Sequence, residues 1–285
     1  MTKQNEIWTV LSVLNWTKEY LAQKGVENAR LESEWLLCGV LDLDRVGLYL
    51  NFDKPLTEAE LTRLRGMVAR RARREPLQYI LGSQEFMGLE FAVTPAVLIP
   101  RHDTEVLVAE AVKRAGEGGR ILDIGLGSGC IAVSLAKALP RAEVMGVEAS
   151  PEALALAEKN IEANAVRVTL FEGSLFEPFT GQRFDLIISN PPYIPTADLE
   201  TLQAEVRDFE PRQALDGGAD GLDFYRLIIP AAPDYLTSGG WLLFEVGIGQ
   251  SEPVTGLLEK TGRFTDIFSA KDPNGIERVV GGRLS

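Results

Sequence analysis

The chain has 285 residues, of which 45% are hydrophobic and 25% are charged, and it carries a formal net charge of −12 at pH 7. This composition is typical of a soluble globular protein, and the length allows one large domain or two. The acidic balance argues against a protein whose main affinity comes from neutralising phosphates, so we expect no direct contact with nucleic acid.

The sequence predicts a cytoplasmic protein with no membrane segment. Cys38 and Cys130 are too few and too far apart for a disulfide framework or a zinc site. Polar residues interrupt the apolar residues near the N-terminus, which argues against a signal peptide. No apolar run approaches the ~20 residues that are needed to cross a bilayer.

Residues 1–83 are predicted to form a small helical domain. Hydrophobic residues recur at helical spacing from Ile7 onward, and Asn28 is expected to cap a second helix. A capping box beginning at Thr57 opens a further helix that ends before Pro76. The arginines between positions 63 and 74 are interpreted as a solvated helix face. This domain contains no catalytic cluster, so a binding role is more plausible for it than chemistry.

Residues 84–99 are predicted to form a β-hairpin that links two domains. Hydrophobic and β-branched residues alternate there, and Gly88 is expected at the turn. The segment that follows leads into a helix and contains His102, the one histidine of the sequence. Without a second histidine the usual base and metal arrangements lack partners, so we interpret His102 as structural or exposed and expect no metal site.

Residues 100–285 are predicted to form an α/β domain in which strands alternate with helices. Strands are expected at 121–124, 144–148, 166–171, 184–189, 241–246, 264–270 and 277–280. Helices are expected at 131–139, 151–164, 222–236 and 254–260. Ser150 caps the second of these helices, with Pro151 at its first position. The alternation predicts a mainly parallel, doubly wound sheet.

A glycine loop, Asp123-Ile124-Gly125-Leu126-Gly127-Ser128-Gly129, stands between the first strand of that sheet and its helix. Glycines there let the backbone approach a ligand closely and leave the amides of the helix N-terminus free. A dinucleotide fingerprint would need glycine or alanine at position 130, where the chain has Cys130. Glu148, at the end of the next strand, has a spacing suited to binding ribose hydroxyls. The pattern favours a nucleoside-type cofactor over a plain turn.

The segment Asn190-Pro191-Pro192-Tyr193 follows the strand at 184–189, at the end where open α/β sheets bind their ligands. The Asn190 side chain offers a carbonyl acceptor, and the Pro191 carbonyl lies on a backbone of fixed φ. Two rigid acceptors side by side can bind both hydrogens of a planar –NH2 group. Taken alone, the segment leaves a simple Asn-Pro turn as an equal alternative.

Together these motifs resemble the class I S-adenosylmethionine-dependent methyltransferases that act on planar amino groups. A narrower resemblance, to the release-factor glutamine methyltransferases (the HemK/PrmC family), covers residues 75–282. The segments that carry it are Glu75-Pro76-Leu77-Gln78-Tyr79-Ile80, Glu85-Phe86-Met87-Gly88, Val97-Leu98-Ile99-Pro100-Arg101, Glu210-Pro211, Gly217-Gly218 and Phe244-Glu245-Val246-Gly247.

The resemblance implies a class I, Rossmann-like methyltransferase domain with a seven-stranded, mostly parallel sheet, after a small helical domain and a β-hairpin linker. It implies methyl transfer from S-adenosylmethionine, with S-adenosylhomocysteine as product. The acceptor would be the side-chain amide nitrogen of the glutamine in the Gly-Gly-Gln motif of class 1 release factors. Release factors 1 and 2 would be the partners, with residues 1–83 as a docking domain.

The resemblance also implies the site residues. Those that would bind the cofactor are Asp123, Gly125, Leu126, Gly127, Ser128, Gly129, Glu148, Leu175 and Asn190. Those that would bind the substrate are Asn190, Pro191, Pro192 and Tyr193, and among them Asn190, Pro191 and Tyr193 would be catalytic. Glu85, Arg101 and Glu105 are expected either to line the pocket or to brace the domains.

The chain departs from the usual pattern of the family at four positions, His102, Leu126, Glu148 and Ser174. None of these departures removes a group that the chemistry requires. Three alternatives stay open on sequence alone. They are a DNA or RNA exocyclic-amino methyltransferase, an NAD(P)-linked oxidoreductase, and a non-catalytic binding protein that retained the fold.

Overall fold

A computed structural model describes residues 7–116 and 118–285. The chain forms two compact units: the first contains the chain up to Gly82 together with Ala204–Phe209, and the second contains Ser83–Gln203 and Glu210–Ser285. Residues 1–6 of the predicted N-terminal domain lie outside the described residues. No helix in the described part of the chain is long and apolar enough to cross a membrane.

The first unit is helical, as predicted. Its helices are α1 (Val10–Gln23), α2 (Ala29–Leu41), α3 (Arg45–Leu50), α4 (Glu58–Arg71) and α5 (Leu77–Leu81). Thr57 caps α4 in a reciprocal capping box with Glu60, which confirms that prediction. Helices α3 and α5 were not predicted because they have 6 and 5 residues, too few to reveal a helical period.

Arg71 of α4 fastens the helix Ala204–Phe209 into the first unit. Its side chain is 6% exposed and pairs with Glu32 and, at 3.0 Å, with Glu205. Arg74 also binds Glu205, at 2.8 Å. The interpretation of these arginines as a solvated face is therefore wrong for Arg71. The sequence could not reveal the pair, because 134 positions separate Arg71 from Glu205.

We expect Arg71→Met to destabilise the first unit strongly, because it leaves two partly buried glutamates without their shared cation. The free energy of unfolding should fall by about 3 kcal/mol, the cost of breaking a buried ion pair on one side. Urea denaturation followed by circular dichroism measures the loss. Arg65→Met, at an exposed position of the same helix, is the control. Equal losses in both variants would contradict the assigned role of Arg71.

The β-hairpin of the second unit is shorter than predicted. Strands β1 (Ser83–Phe86) and β2 (Leu89–Ala92) pair in antiparallel fashion around a turn at Met87 and Gly88, both of which have positive φ. Residues 93–99 contain no regular structure. The pairing stops at Ala92 because its backbone N–H and carbonyl bond the side chain of Asn160, at 2.8 and 3.0 Å.

The rest of the second unit alternates strands and helices. In chain order they are α6 (Thr104–Arg114), β3 (Arg120–Ile124), α7 (Cys130–Ala138), β4 (Glu143–Glu148), α8 (Pro151–Ala163), β5 (Thr169–Glu172) and β6 (Phe184–Ser189), followed after α9 (Ala204–Phe209) of the first unit by α10 (Asp223–Ala231), β7 (Leu236–Glu245), α11 (Ser251–Thr261), β8 (Phe264–Lys271) and β9 (Glu277–Leu284). Among the described residues, seven strands form one sheet in the order β5-β4-β3-β6-β7-β9-β8. β9 alone runs opposite in direction to the other six strands of that sheet, so the predicted mostly parallel α/β fold is confirmed.

Several element boundaries differ from the prediction. Helix α10 ends at Ala231, before a short 3₁₀ turn that contains Pro233, and β7 begins at Leu236 rather than at 241. Strand β5 begins at Thr169 rather than at 166. Ala165 has a φ of 52°, and the N–H of Val166 bonds back to the carbonyl of Ile161, so these residues close α8 instead of joining the sheet.

The sheet brings three strand ends together. Ile124 pairs with Ser189, and Asp123 pairs with Gly146, so the carboxyl ends of β3, β4 and β6 lie side by side. The strand order reverses between β3 and β6, and the loops that leave these strands diverge there. Such a switch point leaves a crevice in which α/β proteins bind ligands. Hydrophobic clusters cover both faces of the sheet.

Candidate active site

A cavity of about 400 Å³ lies at the carboxyl ends of β3, β4 and β6. The predicted site residues that line it are Gly125, Leu126, Gly127, Ser128, Glu148, Leu175, Asn190, Pro191 and Pro192. Asp123, Gly129 and Tyr193 were also predicted as site residues but lie outside this lining. The structure therefore brings the glycine loop and the segment 190–192 to one cavity, as their positions after β3 and β6 require.

The glycine loop has a backbone that only glycine adopts easily. Gly125, Gly127 and Gly129 have φ values of 78°, 55° and 82°. A Cβ atom at Gly125 or Gly127 would meet no other atom within 4 Å, so the backbone of the loop borders open space. The buried side chain of Leu126 packs against Gly146 of β4, where an added Cβ would approach it to 2.5 Å.

Glu148 joins the glycine loop to the end of β4. Its Oε2 accepts from the Gly127 N–H and its Oε1 accepts from the Ser150 N–H, both at 2.9 Å. Each carboxylate oxygen keeps a further lone pair, so Glu148 can still accept hydrogen bonds from a ligand's hydroxyl groups. The carboxylate therefore both fixes the loop and presents acceptors at the cavity.

Asp123 is fully buried at the end of β3, behind the cavity wall. Neither carboxyl oxygen has a hydrogen-bond partner among the described residues. Burial, reinforced by the negative charge of Glu148, raises the pKa of Asp123 to about 7. Direct contact between Asp123 and a cofactor stays a prediction.

The Asn190 side chain is held on one side and open on the other. Its Nδ2 donates to the Thr104 hydroxyl at 3.3 Å. Its Oδ1 accepts no hydrogen bond from the described residues and is not enclosed by them. Because Asn190 lines the cavity, an unused carbonyl acceptor is available there.

Tyr193 does not belong to the cavity lining. Its hydroxyl donates to Glu245 Oε1 at 3.3 Å, and its carbonyl accepts from Gln250 Nε2 at 2.8 Å. Burial and the neighbouring Glu245 raise the pKa of the Tyr193 phenol above its usual range. The predicted contact of this ring with the substrate stays a prediction.

Several residues that support this segment were not among the predicted site residues. Glu245 ends β7 and is fully buried, and burial raises its pKa to about 7. Added Cβ atoms at Gly217 and Gly221 would approach the carbonyls of Pro192 and Tyr193 to 2.8 and 2.2 Å, so these glycines allow close packing. An acid that ends an otherwise apolar strand was the signal that could have identified Glu245.

Arg101 and Glu105, which were expected either to line the pocket or to brace the domains, take different positions. Arg101 lines the cavity and pairs with the buried Glu210, which also accepts from the Ile99 N–H at 3.2 Å. Glu105 binds His102 at 3.0 Å, and His102 is 73% exposed, as predicted for it. In the part of the chain that the structure describes, no group of three or more His, Cys, Asp or Glu side chains is placed to hold a metal ion.

The raised pKa of Asp123 predicts a pH-dependent cost in stability. In the unfolded chain the carboxyl ionises near pH 4, whereas in the folded chain it stays protonated up to about pH 7. Stability should therefore fall as pH rises between these values and then level off, a loss on the order of a few kcal/mol. We expect Asp123→Asn to remove this loss of stability, because asparagine does not ionise.

Urea denaturation from pH 4 to pH 8, without added ligand, tests the expectation. The free energy of unfolding of the Asp123→Asn variant should increase relative to that of the wild type as pH rises. The difference should become constant above about pH 7. Asp53→Asn, at an exposed position, should leave the profile unchanged. A constant difference between Asp123→Asn and wild type at every pH would contradict the assignment.

Comparison with known proteins identifies relatives of both units. The family model of the PrmC N-terminal domain matches residues 12–82, and that of the methyltransferase small domain matches residues 102–207. The chain is 70% identical over 284 residues to a release factor glutamine methyltransferase of Geobacter sulfurreducens, with 100% of both chains covered. It is 44% identical over 274 residues to a release factor glutamine methyltransferase of Moorella thermoacetica, with 95% of this chain and 96% of the relative covered.

A solved structure supports the fold. The crystal structure of a methyltransferase from Pyrococcus furiosus matches with a TM-score of 0.54 at 20% sequence identity. The match covers 75% of this chain and 98% of that one. The class I methyltransferase fold predicted from the motifs is thereby confirmed.

Proposed function

The chain belongs to the release factor glutamine methyltransferase family, and we propose that it transfers a methyl group from S-adenosylmethionine to a glutamine side-chain nitrogen of a class 1 release factor. The glutamine is that of the Gly-Gly-Gln motif, and release factors 1 and 2 are the proposed partners. One observation carries the proposal: Asn190 lines the cavity with an unused carbonyl oxygen, at the end of the strand beside the glycine loop.

The residues around the cavity fit the proposed cofactor. Glu148 retains lone pairs for ribose hydroxyls, the backbone at Gly125 and Gly127 borders open space, and Leu175 adds an apolar wall. When bound, S-adenosylmethionine supplies an electrophilic methyl group on a sulfonium, and S-adenosylhomocysteine is the product. The remaining work of the site is to present the acceptor nitrogen.

Orientation of the amide is the main contribution of the segment 190–192. An amide nitrogen is a poor nucleophile because its lone pair is delocalised into the carbonyl. We infer that Asn190 Oδ1 and the Pro191 carbonyl accept the two amide hydrogens and direct the lone pair toward the methyl group. Such orientation contributes roughly several kcal/mol. The same acceptors stabilise the positive charge that develops on the nitrogen, and the proton then passes to water.

The proposed acceptors also select glutamine over glutamate. A glutamate carboxylate has no hydrogen to donate, and its negative charge would face two carbonyl oxygens. A site built to accept hydrogen bonds from an –NH2 group rejects a ligand that lacks those hydrogens, because its own polar groups would stay unpaired.

Mass spectrometry of a release factor after incubation with this protein and S-adenosylmethionine tests the proposal. We expect a single methyl group on the glutamine of the Gly-Gly-Gln motif. Asn190→Ala should lower kcat on the order of 10²–10³, the effect of losing one preorganised transition-state hydrogen bond. Asn274→Ala, at an exposed turn, is the matched control and should keep normal turnover.

Two outcomes would contradict the proposal. One is transfer of labelled methyl groups to DNA or RNA with none to the release factor, which would favour the exocyclic-amino methyltransferase. The other is near-normal turnover by Asn190→Ala, which would remove Asn190 from the mechanism.

The first unit is the proposed docking surface for the release factor. Leu31 and Trp35 stand four residues apart on α2 and are 41% and 43% exposed, so they form one apolar strip. Further large exposed hydrophobic residues of this unit are Ile7, Leu11, Trp16, Val46, Tyr49, Leu50 and Phe52. Exposed apolar side chains that adjoin one another, as in this strip, are typical of a protein-binding site.

The double variant Leu31→Ser and Trp35→Ser should raise the KM for the intact release factor and leave the KM for a short Gly-Gly-Gln peptide unchanged. The peptide contains only the residues around the methylated glutamine, so it also controls for the integrity of the catalytic unit. Steady-state kinetics with both substrates make the comparison, and Leu227→Ser, an exposed residue of the second unit, is the control variant. Equal effects on factor and peptide would contradict docking through this strip.

A further inference from the structure

The direction of the Asn190 amide depends on a residue outside the segment 190–193. An asparagine amide fills almost the same space after a half-turn, yet one face then accepts hydrogen bonds and the other donates them. The proposed chemistry needs the acceptor at the cavity. The contact that separates the two orientations is the one from Asn190 Nδ2 to Thr104 Oγ1, at 3.3 Å.

Thr104 is the first residue of α6 and is 2% exposed. Its backbone N–H donates to the Arg101 carbonyl at 3.1 Å, which fixes the start of the helix and the position of the side chain. A hydroxyl both donates and accepts, so Thr104 alone would tolerate either orientation of Asn190. A third group must therefore determine where the hydroxyl hydrogen points.

Glu245 is that third group. Ser189 pairs with Phe244 across β6 and β7, so Asn190 and Glu245 follow neighbouring positions at the ends of two adjacent strands. Glu245 is fully buried, its Oε1 accepts from the Tyr193 hydroxyl at 3.3 Å, and its Oε2 has no hydrogen-bond partner among the described residues. When Glu245 is ionised it can only accept hydrogen bonds, so the Thr104 hydrogen turns toward the unused Glu245 oxygen and a lone pair is left for Asn190 Nδ2.

We propose that Thr104, oriented by Glu245, is the positioning residue that holds the Asn190 carbonyl oxygen toward the cavity. This inference rests on the proposed glutamine methyltransferase function. Neither Thr104 nor Glu245 needs to touch the glutamine; their effect passes through Asn190. Loss of the Thr104 hydroxyl allows the amide to turn and present its –NH2 group, which suits a carboxylate rather than an amide.

The test uses the full-length protein at pH 8, above the pKa of about 7 of Glu245, with three variants, Thr104→Ala, Thr104→Val and Thr104→Ser. Alanine and valine lack the hydroxyl, whereas serine keeps it at almost the volume of alanine. The ligands are a short Gly-Gly-Gln peptide and the same peptide with glutamate in place of glutamine. Titration with S-adenosylmethionine shows that each variant still binds the cofactor.

The hydroxyl-free variants should lower kcat for the glutamine peptide on the order of tenfold to a hundredfold, because a polar group of the clamp is misdirected. They should also bind the glutamate peptide more tightly relative to the glutamine peptide, by on the order of tenfold. Thr104→Ser should have nearly the wild-type kcat and nearly the wild-type relative affinity for the two peptides. Thr265→Val, at an exposed strand position, should change neither.

Two results would overturn the inference while leaving the proposed function intact. In one, Thr104→Ser and Thr104→Ala lower kcat equally, which would mean that the methyl group of Thr104 matters and its hydroxyl does not. In the other, Thr104→Ala and Thr104→Val keep the wild-type preference for the glutamine peptide over the glutamate peptide. Failure of the proposed function would look different, because the wild type itself would not methylate the glutamine peptide.

Discussion

The parallel register of β6 with its two neighbours determines where every group of the site stands. Ser189 pairs with Ile124 on one side and with Phe244 on the other. The residues that follow these three positions are therefore adjacent: the glycine loop after β3, Asn190 after β6 and Glu245 at the end of β7. A shift of β6 by one residue would turn Ser189 and its neighbours to opposite faces of the sheet and separate the clamp from the loop.

The same arrangement buries two carboxyl groups close to the cavity, and both have pKa values raised to about 7. Asp123 and Glu245 each keep at least one oxygen without a partner among the described residues. A protein built for stability alone would pair or remove such groups. Their presence at the ends of β3 and β7 is consistent with a site whose polarity serves ligand orientation at some cost in stability.

Much of the fold and part of the site could be predicted from local patterns. Strand and helix alternation, the Thr57 capping box and the glycine loop depend on residues near one another in the chain, and each was recognised. Contacts between distant residues were not predictable. Thr104 and Asn190 are 86 positions apart, and Tyr193 and Glu245 are 52 apart. Similarly, the assignment of α9 to the first unit depends on its distant partner Arg71. Only the folded register brings such residues together.

A crystal structure with S-adenosylhomocysteine and a Gly-Gly-Gln peptide would test the central claim most directly. The measurement is the distance between the glutamine amide nitrogen and Asn190 Oδ1. The account predicts about 3 Å, a normal hydrogen bond, with Asn190 Nδ2 still on Thr104. A glutamine bound away from Asn190, or an Asn190 that turns its nitrogen to the glutamine, would contradict it.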